Sequence, residues 1–229
     1  MDIAITNQFL LLSINKERNP DSLFNQATIV ALMSLGLYEL EKNKVIEVLN
    51  GDGDKSDLAF SIIKPLPDNL KYLSIIYQVL LDSKKKTVAE VTSMFFLNFK
   101  KQYFDNFSKN LISDLVNEGV LQEYKKAGMF GIEKSKFKVN QASVEEIISK
   151  IKSNVFEEKV KDYDMIILAR LLDKTDLIYQ YFPNKECKII KEKVTNAMEN
   201  SDNIVVLRTL KTIDNLFCII LAIITTVIL

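Results

Sequence analysis

The chain has 229 residues, 48% hydrophobic and 26% charged, with 30 basic against 30 acidic side chains and a formal net charge of +0. This balance excludes a surface that holds nucleic acid by a general excess of Lys and Arg, and the absence of His removes Ser-His-Asp, Cys-His and His-based zinc chemistry. With 6 Gly and 4 Pro the chain is too poor in turn residues for an all-β fold. The expectation is a mainly α, single-domain helical bundle over residues 1–229, built around apolar core helices and carrying two β-hairpins.

In chain order, the start holds Asp2 and no basic region, so it does not read as a signal peptide, and a cytoplasmic protein is expected. Ile3 to Ile14 is a short apolar segment ended by the polar run Asn15 to Pro20. Asp21 or Ser22 then caps a helix predicted to run to about Glu41, with Leu23, Phe24, Ala27, Val30, Ala31, Leu35 and Tyr38 at helical spacing. Leu32 and Leu37 make it apolar all round, which places it in the interior.

Lys44 to Leu49 and Leu58 to Ile63 flank a turn-forming stretch and read as the first hairpin. In its loop Asp52, Asp54 and Ser56 have the spacing of calcium ligands, but Asp57 stands where Gly is needed and Ile63 where Glu is needed, so no metal is expected.

Pro65 and Pro67 precede a helix from Asp68 to about Leu81, with Leu70, Leu73, Ile76, Tyr77 and Leu80 on its buried face. Lys84, Lys85 and Lys86 form a solvated connector, and Thr87 with Glu90 has capping-box spacing for a helix through Phe96. Gln102 to Glu118 is the next helix, with a buried stripe of Phe104, Phe107, Leu111, Leu115 and Val116, stopped at Gly119.

Val120 to Tyr124 and Ile132 to Val139 make the second hairpin around Lys125 to Gly131. Alternation puts Lys134, Lys136 and Lys138 on one face of its far strand and Ser135, Phe137 and Val139 on the other. Ser143 with Glu146 is a second capping box, opening a helix with Ile147, Ile148, Ile151 and Val155 inside. Further helices are predicted at about Asp164 to Leu172, Lys174 to Phe182 and Asn184 to Asn200.

From Asp202 the chain is amphipathic and then wholly apolar apart from Thr225 and Thr226. The run Leu216 to Leu229 is shorter than the about 20 residues a membrane span needs. Extending it back to Ile204 brings in Arg208, Lys211 and Asp214, so a core helix is expected. Cys187 and Cys218 read as reduced core thiols.

Three functional readings follow. Asn106 to Val139, a helix followed by a basic hairpin, has the outline of a winged helix, which makes a DNA-binding protein the alternative. The helix, however, sets Asp105, Asp114 and Glu118 against Lys109, and these acids repel phosphate, so no nucleic acid is expected as a partner. An enzyme using carboxylates such as Glu39 or Asp164 lacks a recognisable catalytic pair, and a non-enzymatic domain is expected.

The remaining reading comes from a resemblance carried by the whole chain. It rests on Leu10, Leu11 and Leu12, the helix from Phe24 and Asn25 to Tyr38, Glu39 and Leu40, and the segment Leu115, Val116, Asn117, Glu118, Gly119, Val120, Leu121 with its hairpin through Phe137 and Val139. A C-terminal helical array ending in a very apolar helix completes it. In this order of features the chain resembles the Golgi phosphoprotein 3 family, in a minimal or bacterial-type form without the family's basic N-terminal arm.

The resemblance implies a peripheral membrane protein. Eukaryotic members bind phosphatidylinositol 4-phosphate and recruit Golgi glycosyltransferases to coat machinery, which would place such a protein on the cytosolic face of the Golgi. The family's headgroup aromatic falls on Phe24, but its arginine positions fall on Met33, Asp105 and Ser108. Lys100, Lys101 and Lys109 remain as point charges for an anionic lipid surface, with less headgroup specificity than arginine gives.

The family's second hairpin mediates self-association and membrane contact. Here its tip offers Met129 and Phe130 between Gly128 and Gly131, beside Lys125, Lys126 and Lys134. The expected partners are therefore anionic lipid, phosphatidylinositol 4-phosphate among them, and a second copy of the chain through this hairpin.

Overall fold

Apolar residues at helical spacing, interrupted by few glycines and prolines, give a mainly α chain in the computed structural model. It describes residues 3–14, 26–49, 58–97, 102–127, 133–156, 162–200 and 204–228, with only the backbone at 97, 125–127, 133–135, 198–200, 204–209 and 227–228. The cap at Asp21 or Ser22, with Leu23 beyond it, and the loop bearing Asp52, Asp54 and Ser56 lie outside the described residues. The described chain divides into two units, 1–28 with 115–212 and 29–114 with 213–229.

In the first unit, helix α1 (Ile5–Ser13) is buried along its whole length, including Thr6, Asn7, Gln8 and Ser13. Gln8 and Ser13 turn inward on the backbone, Gln8 Nε2 donating to the Ile3 carbonyl at 2.6 Å and Ser13 Oγ to the Phe9 carbonyl at 2.8 Å. A polar side chain bonded this way loses much of the penalty of leaving water. Packed against α1 are α6 (Gln141–Phe156) and α7 (Tyr163–Lys174), and α8 (Asn184–Asn200) packs on both of these.

Strands β3 (Leu121–Ala127) and β4 (Glu133–Val139) pair antiparallel, from Leu121 opposite Val139 to Ala127 opposite Glu133. The Leu121–Val139 pair is buried and fixes the base of this ribbon.

In the second unit, α2 (Gln26–Lys42, assigned here from Ile29) has every residue from Val30 to Leu40 buried, as its all-round apolar sequence predicts. Its close neighbour is α3 (Ser74–Asp82). A Cβ built on Gly36 falls within contact distance of Ile76 Cδ1 and lies 3.2 Å from Leu73 Cδ2. Strands β1 (Ile46–Leu49) and β2 (Ala59–Ile62) form the first ribbon, and Ala59 bridges onward to Thr87 just ahead of α4 (Val88–Leu97).

Helix α5 (Tyr103–Asn117) leads to Gly119, and α9 (Ile204–Ile228) closes the described chain. Along α9 the residues Ile213, Leu216, Phe217, Ile220 and Ile224 are buried at spacings of three and four, so its apolar part lies in the core. Among the described residues, no helix is long and apolar enough to cross a membrane.

Several local expectations are corrected. The segment expected as one helix from Asp68 begins as a 3₁₀ helix, Asp68–Leu73, with Leu70 non-helical at φ −114 and ψ 17. Three residues per turn over Asp68–Leu73 bring Tyr72 inward beside Leu70 and Leu73, and on the α-helix that follows Val79 is buried and Tyr77 half-exposed. On α5 the buried stripe takes Tyr103 in place of Phe104, and Val116 is exposed.

Helix α6 starts two residues before Ser143, because Asn140 Oδ1 accepts from the N–H groups of Ala142 (3.1 Å) and Ser143 (3.4 Å) and takes the capping role itself. The helix expected over Lys174 to Phe182 is a short 3₁₀ turn, Leu177–Gln180. Thr175 Oγ1 folds back to the Leu171 carbonyl at 2.7 Å and Asp176 takes φ +58, which ends α7 before it can continue. Cys187 is buried as expected, but Cys218 is exposed on the outer side of α9.

Candidate functional site: a basic ribbon

The second ribbon owes its position to Gly119. At φ +71 this residue lets α5 close with its own N–H on the Val116 carbonyl (3.0 Å) and the Val120 N–H on the Leu115 carbonyl (3.1 Å), which turns the chain directly into β3. Antiparallel register then decides which lysines share a face, since directly opposed residues lie on the same side of a ribbon.

Gln122 opposes Lys138, Tyr124 opposes Lys136 and Lys126 opposes Lys134. One face therefore holds four lysine positions, one glutamine and one tyrosine, with no acidic residue among them. Tyr124 is 44% exposed, Lys138 is exposed and Lys136 half-exposed. Leu121, Glu123, Lys125 and Ala127 belong to the opposite face with Val139, Phe137, Ser135 and Glu133.

The register thus joins Lys126 and Lys134 but sets Lys125 on the other side. It adds Lys136, Lys138 and Tyr124, which the sequence showed only as the exposed period of a strand and an unassigned aromatic. Met129 and Phe130 at the tip lie outside the described residues, as do Phe24, Lys100 and Lys101. Lys109 is exposed on α5, in the other unit.

Met33, Ser108 and Asp105, the positions on which the expected arginines would fall, also have a clear geometry. Met33 is fully buried, Ser108 is buried with its Oγ donating to the Phe104 carbonyl at 3.0 Å, and Asp105 is exposed. Two of the three side chains face the interior and the third is an anion, so these positions form no cationic cradle.

Two other arrangements bear on function. An open cavity of about 530 Å3 in the first unit has an apolar wall of Ile14, Val139, Val144, Ile148 and Tyr181. Its Lys152 is committed to Glu186 at 2.9 Å and lies 5.7 Å from the Phe182 ring centre, and the Tyr181 hydroxyl donates to the Leu12 carbonyl.

The other is a cluster of Lys191, Asp173 and Tyr179. Lys191 Nζ lies 2.6 Å from Asp173 and donates to the Tyr179 hydroxyl at 2.8 Å. The hydrogen bond to Asp173, with help from Tyr179, pushes the ammonium above its ordinary range. A lysine held charged can donate but cannot take a proton, so this ammonium braces α7 against α8 and is not itself a base. Glu39, buried on α2, and Asp164, in the first turn of α7, fall in different units.

Comparison with known proteins adds no assignment, for no protein-family model and no curated protein matches the chain.

Proposed function

We propose that this chain is a non-enzymatic, peripheral membrane-binding domain that docks on anionic lipid through the basic face of the β3–β4 ribbon. The observation that carries the reading is the register, which sets positions 126, 134, 136 and 138, all lysine, on the strand face of the exposed Tyr124, with no acid among the positions of that face. Lysines near an anionic leaflet contribute about 1 kcal/mol each. A tyrosine, apolar in its ring and polar at its hydroxyl, suits the headgroup level.

The reading agrees with the resemblance to phosphatidylinositol 4-phosphate-binding adaptors in kind but not in selectivity. Met33, Asp105 and Ser108 leave a diffuse lysine field to do what arginine forks do in a specific pocket. Phosphatidylinositol 4-phosphate is bound on this account as one anionic lipid among others. A second copy of the chain, associating through the same ribbon, is part of the proposal, as is a location at a cytoplasmic membrane surface.

Co-sedimentation with vesicles of phosphatidylcholine alone, with added phosphatidylserine, and with added phosphatidylinositol 4-phosphate tests it. The chain should pellet with both anionic sets, lose binding as salt rises, and lose it also on Lys136→Glu/Lys138→Glu. Absence of binding to every anionic vesicle sinks the reading. Retardation of duplex DNA by the ribbon, abolished by the same substitutions and without vesicle binding, would move the function to nucleic acid.

A further inference from the structure

We infer that the loop Ser83–Lys86 is a second contact for anionic lipid, carried by the unit 29–114 with 213–229 and separate from the ribbon. The inference rests on the membrane reading above but on different residues.

Three successive lysines are in most proteins a solvated connector, and here the backbone beneath them is fixed. The Glu90 carboxylate on α4 accepts from the Ser83 hydroxyl and from the N–H groups of Lys85 (2.7 Å) and Lys86 (3.1 Å). Lys86 N–H also reaches Ser83 Oγ at 2.9 Å, and the Lys86 carbonyl accepts from Phe60 N–H at 2.9 Å. Held from both sides, Lys86 keeps φ +50, a conformation that side-chain-bearing residues rarely adopt.

The charges on this loop are only partly used. Lys86 Nζ donates to the Ser83 carbonyl at 3.2 Å. Lys84 and Lys85 are exposed and have no ion-pair partner among the described residues. Of the described acids next to the loop in sequence, Glu90 is bonded to the loop's own donors and Asp82 to the Tyr103 hydroxyl at 2.6 Å and Gln78 Nε2 at 3.0 Å; Glu47 stands exposed beside Leu49 on β1.

Two exposed leucines lie on the elements that adjoin the loop. Leu81, in the last turn of α3, is 49% exposed, and Leu49 is 44% exposed. Leu49 pairs with Ala59, which bridges to Thr87, so Leu49 stands two strand spacings, about 10 Å, from the residue that follows the lysines. Phosphates of a nucleic acid would satisfy the lysines and leave both leucines in water. A bilayer surface takes both kinds of group, the ammoniums at the headgroups and the leucines at the acyl boundary, and is the partner that fits.

The test uses the full chain and vesicles of phosphatidylcholine with and without phosphatidylserine. Lys84→Gln/Lys85→Gln should weaken partitioning by about fivefold for each lysine, with an unchanged helical spectrum and melting temperature. Leu81→Ser should weaken it without changing its salt dependence. Loss in the loop variants with none in Lys136→Gln/Lys138→Gln keeps this inference and removes the ribbon reading. Wild-type binding in the loop variants, beside loss in the ribbon variant, overturns the inference and keeps the ribbon. Failure of the wild type to bind removes both, and a loop effect confined to duplex DNA overturns the lipid assignment.

Discussion

The Glu90 carboxylate ties α4 to the loop before it, and this makes it a point where pH acts on stability. Its carboxyl is held below the ordinary 4.5, chiefly by the Ser83 hydroxyl, with the backbone N–H groups of Lys85, Lys86 and Lys84 assisting against desolvation. A carboxylate whose folded value is depressed contributes stability that is present above its unfolded value and lost as pH falls through the folded one. Glu90→Gln keeps the shape and removes the charge. The wild type should therefore melt above the variant at neutral pH, with the gap closing as pH falls below about 4.5 and gone once the folded carboxyl is protonated. Melting temperatures of both proteins across that range measure it, and a gap that stays constant with pH would show that the bonded charge plays no part. Thr87 and Glu90 are legible as a capping box, and Thr87 Oγ1 does accept from Glu90 N–H at 3.2 Å. The return half of the box is absent from sequence logic because the Glu90 carboxylate is drawn instead to the tighter loop N–H groups.

Between elements, the approach of α2 to α3 depends on Gly36. Alanine there is favoured in a helix by about 1 kcal/mol, but its Cβ enters the space of the fully buried Ile76 Cδ1, and overpacking of this kind costs about 1–3 kcal/mol. Gly36→Ala should thus be destabilising, and Ile76→Val, which deletes that methyl, should cost about 0.5–1.5 kcal/mol alone. Combined, they should be less harmful than their sum, because the valine vacates what the alanine fills. Denaturant midpoints of the four proteins decide it, and strict additivity would mean that Ile76 already has room to move. The interior position of α2 is legible because its apolar residues leave no polar face. The complete burial of α1 is only half legible, since Ile3 to Ile14 reads as an apolar segment but nothing in it tells that Thr6, Asn7, Gln8 and Ser13 are buried too. Only the structure shows Gln8 and Ser13 bonded back to their own chain. The 3₁₀ start of the third helical segment escapes a reading based on 3.6-residue spacing for a similar reason: its period differs, and Pro65 and Pro67 are silent about which helix follows.

For the whole molecule, a net charge of +0 means that any attraction to an anionic surface comes from where the charges sit. Alternation showed Lys134, Lys136 and Lys138 on one side of a strand, but bringing Lys126 and Tyr124 to them and sending Lys125 away required the register, which depends on the turn between the strands. Position in the fold likewise separates the two cysteines, which sequence context groups together. Cys187 is 1% exposed, with its thiol directed to the Phe182 carbonyl at 3.3 Å, and burial pushes that thiol above its ordinary range. A thiol that is both inaccessible and kept protonated reacts slowly, because the thiolate is the nucleophile. Cys218 is exposed on α9. A disulfide-exchange reagent should therefore modify one thiol promptly in the native protein, and Cys218→Ser should abolish that phase. The second equivalent, from Cys187, should appear only with denaturant and follow the unfolding of the unit that buries it. Two prompt equivalents in native buffer would place Cys187 at the surface and undo the packing of α8 on α7, whereas none would place the outer side of α9 in the interior.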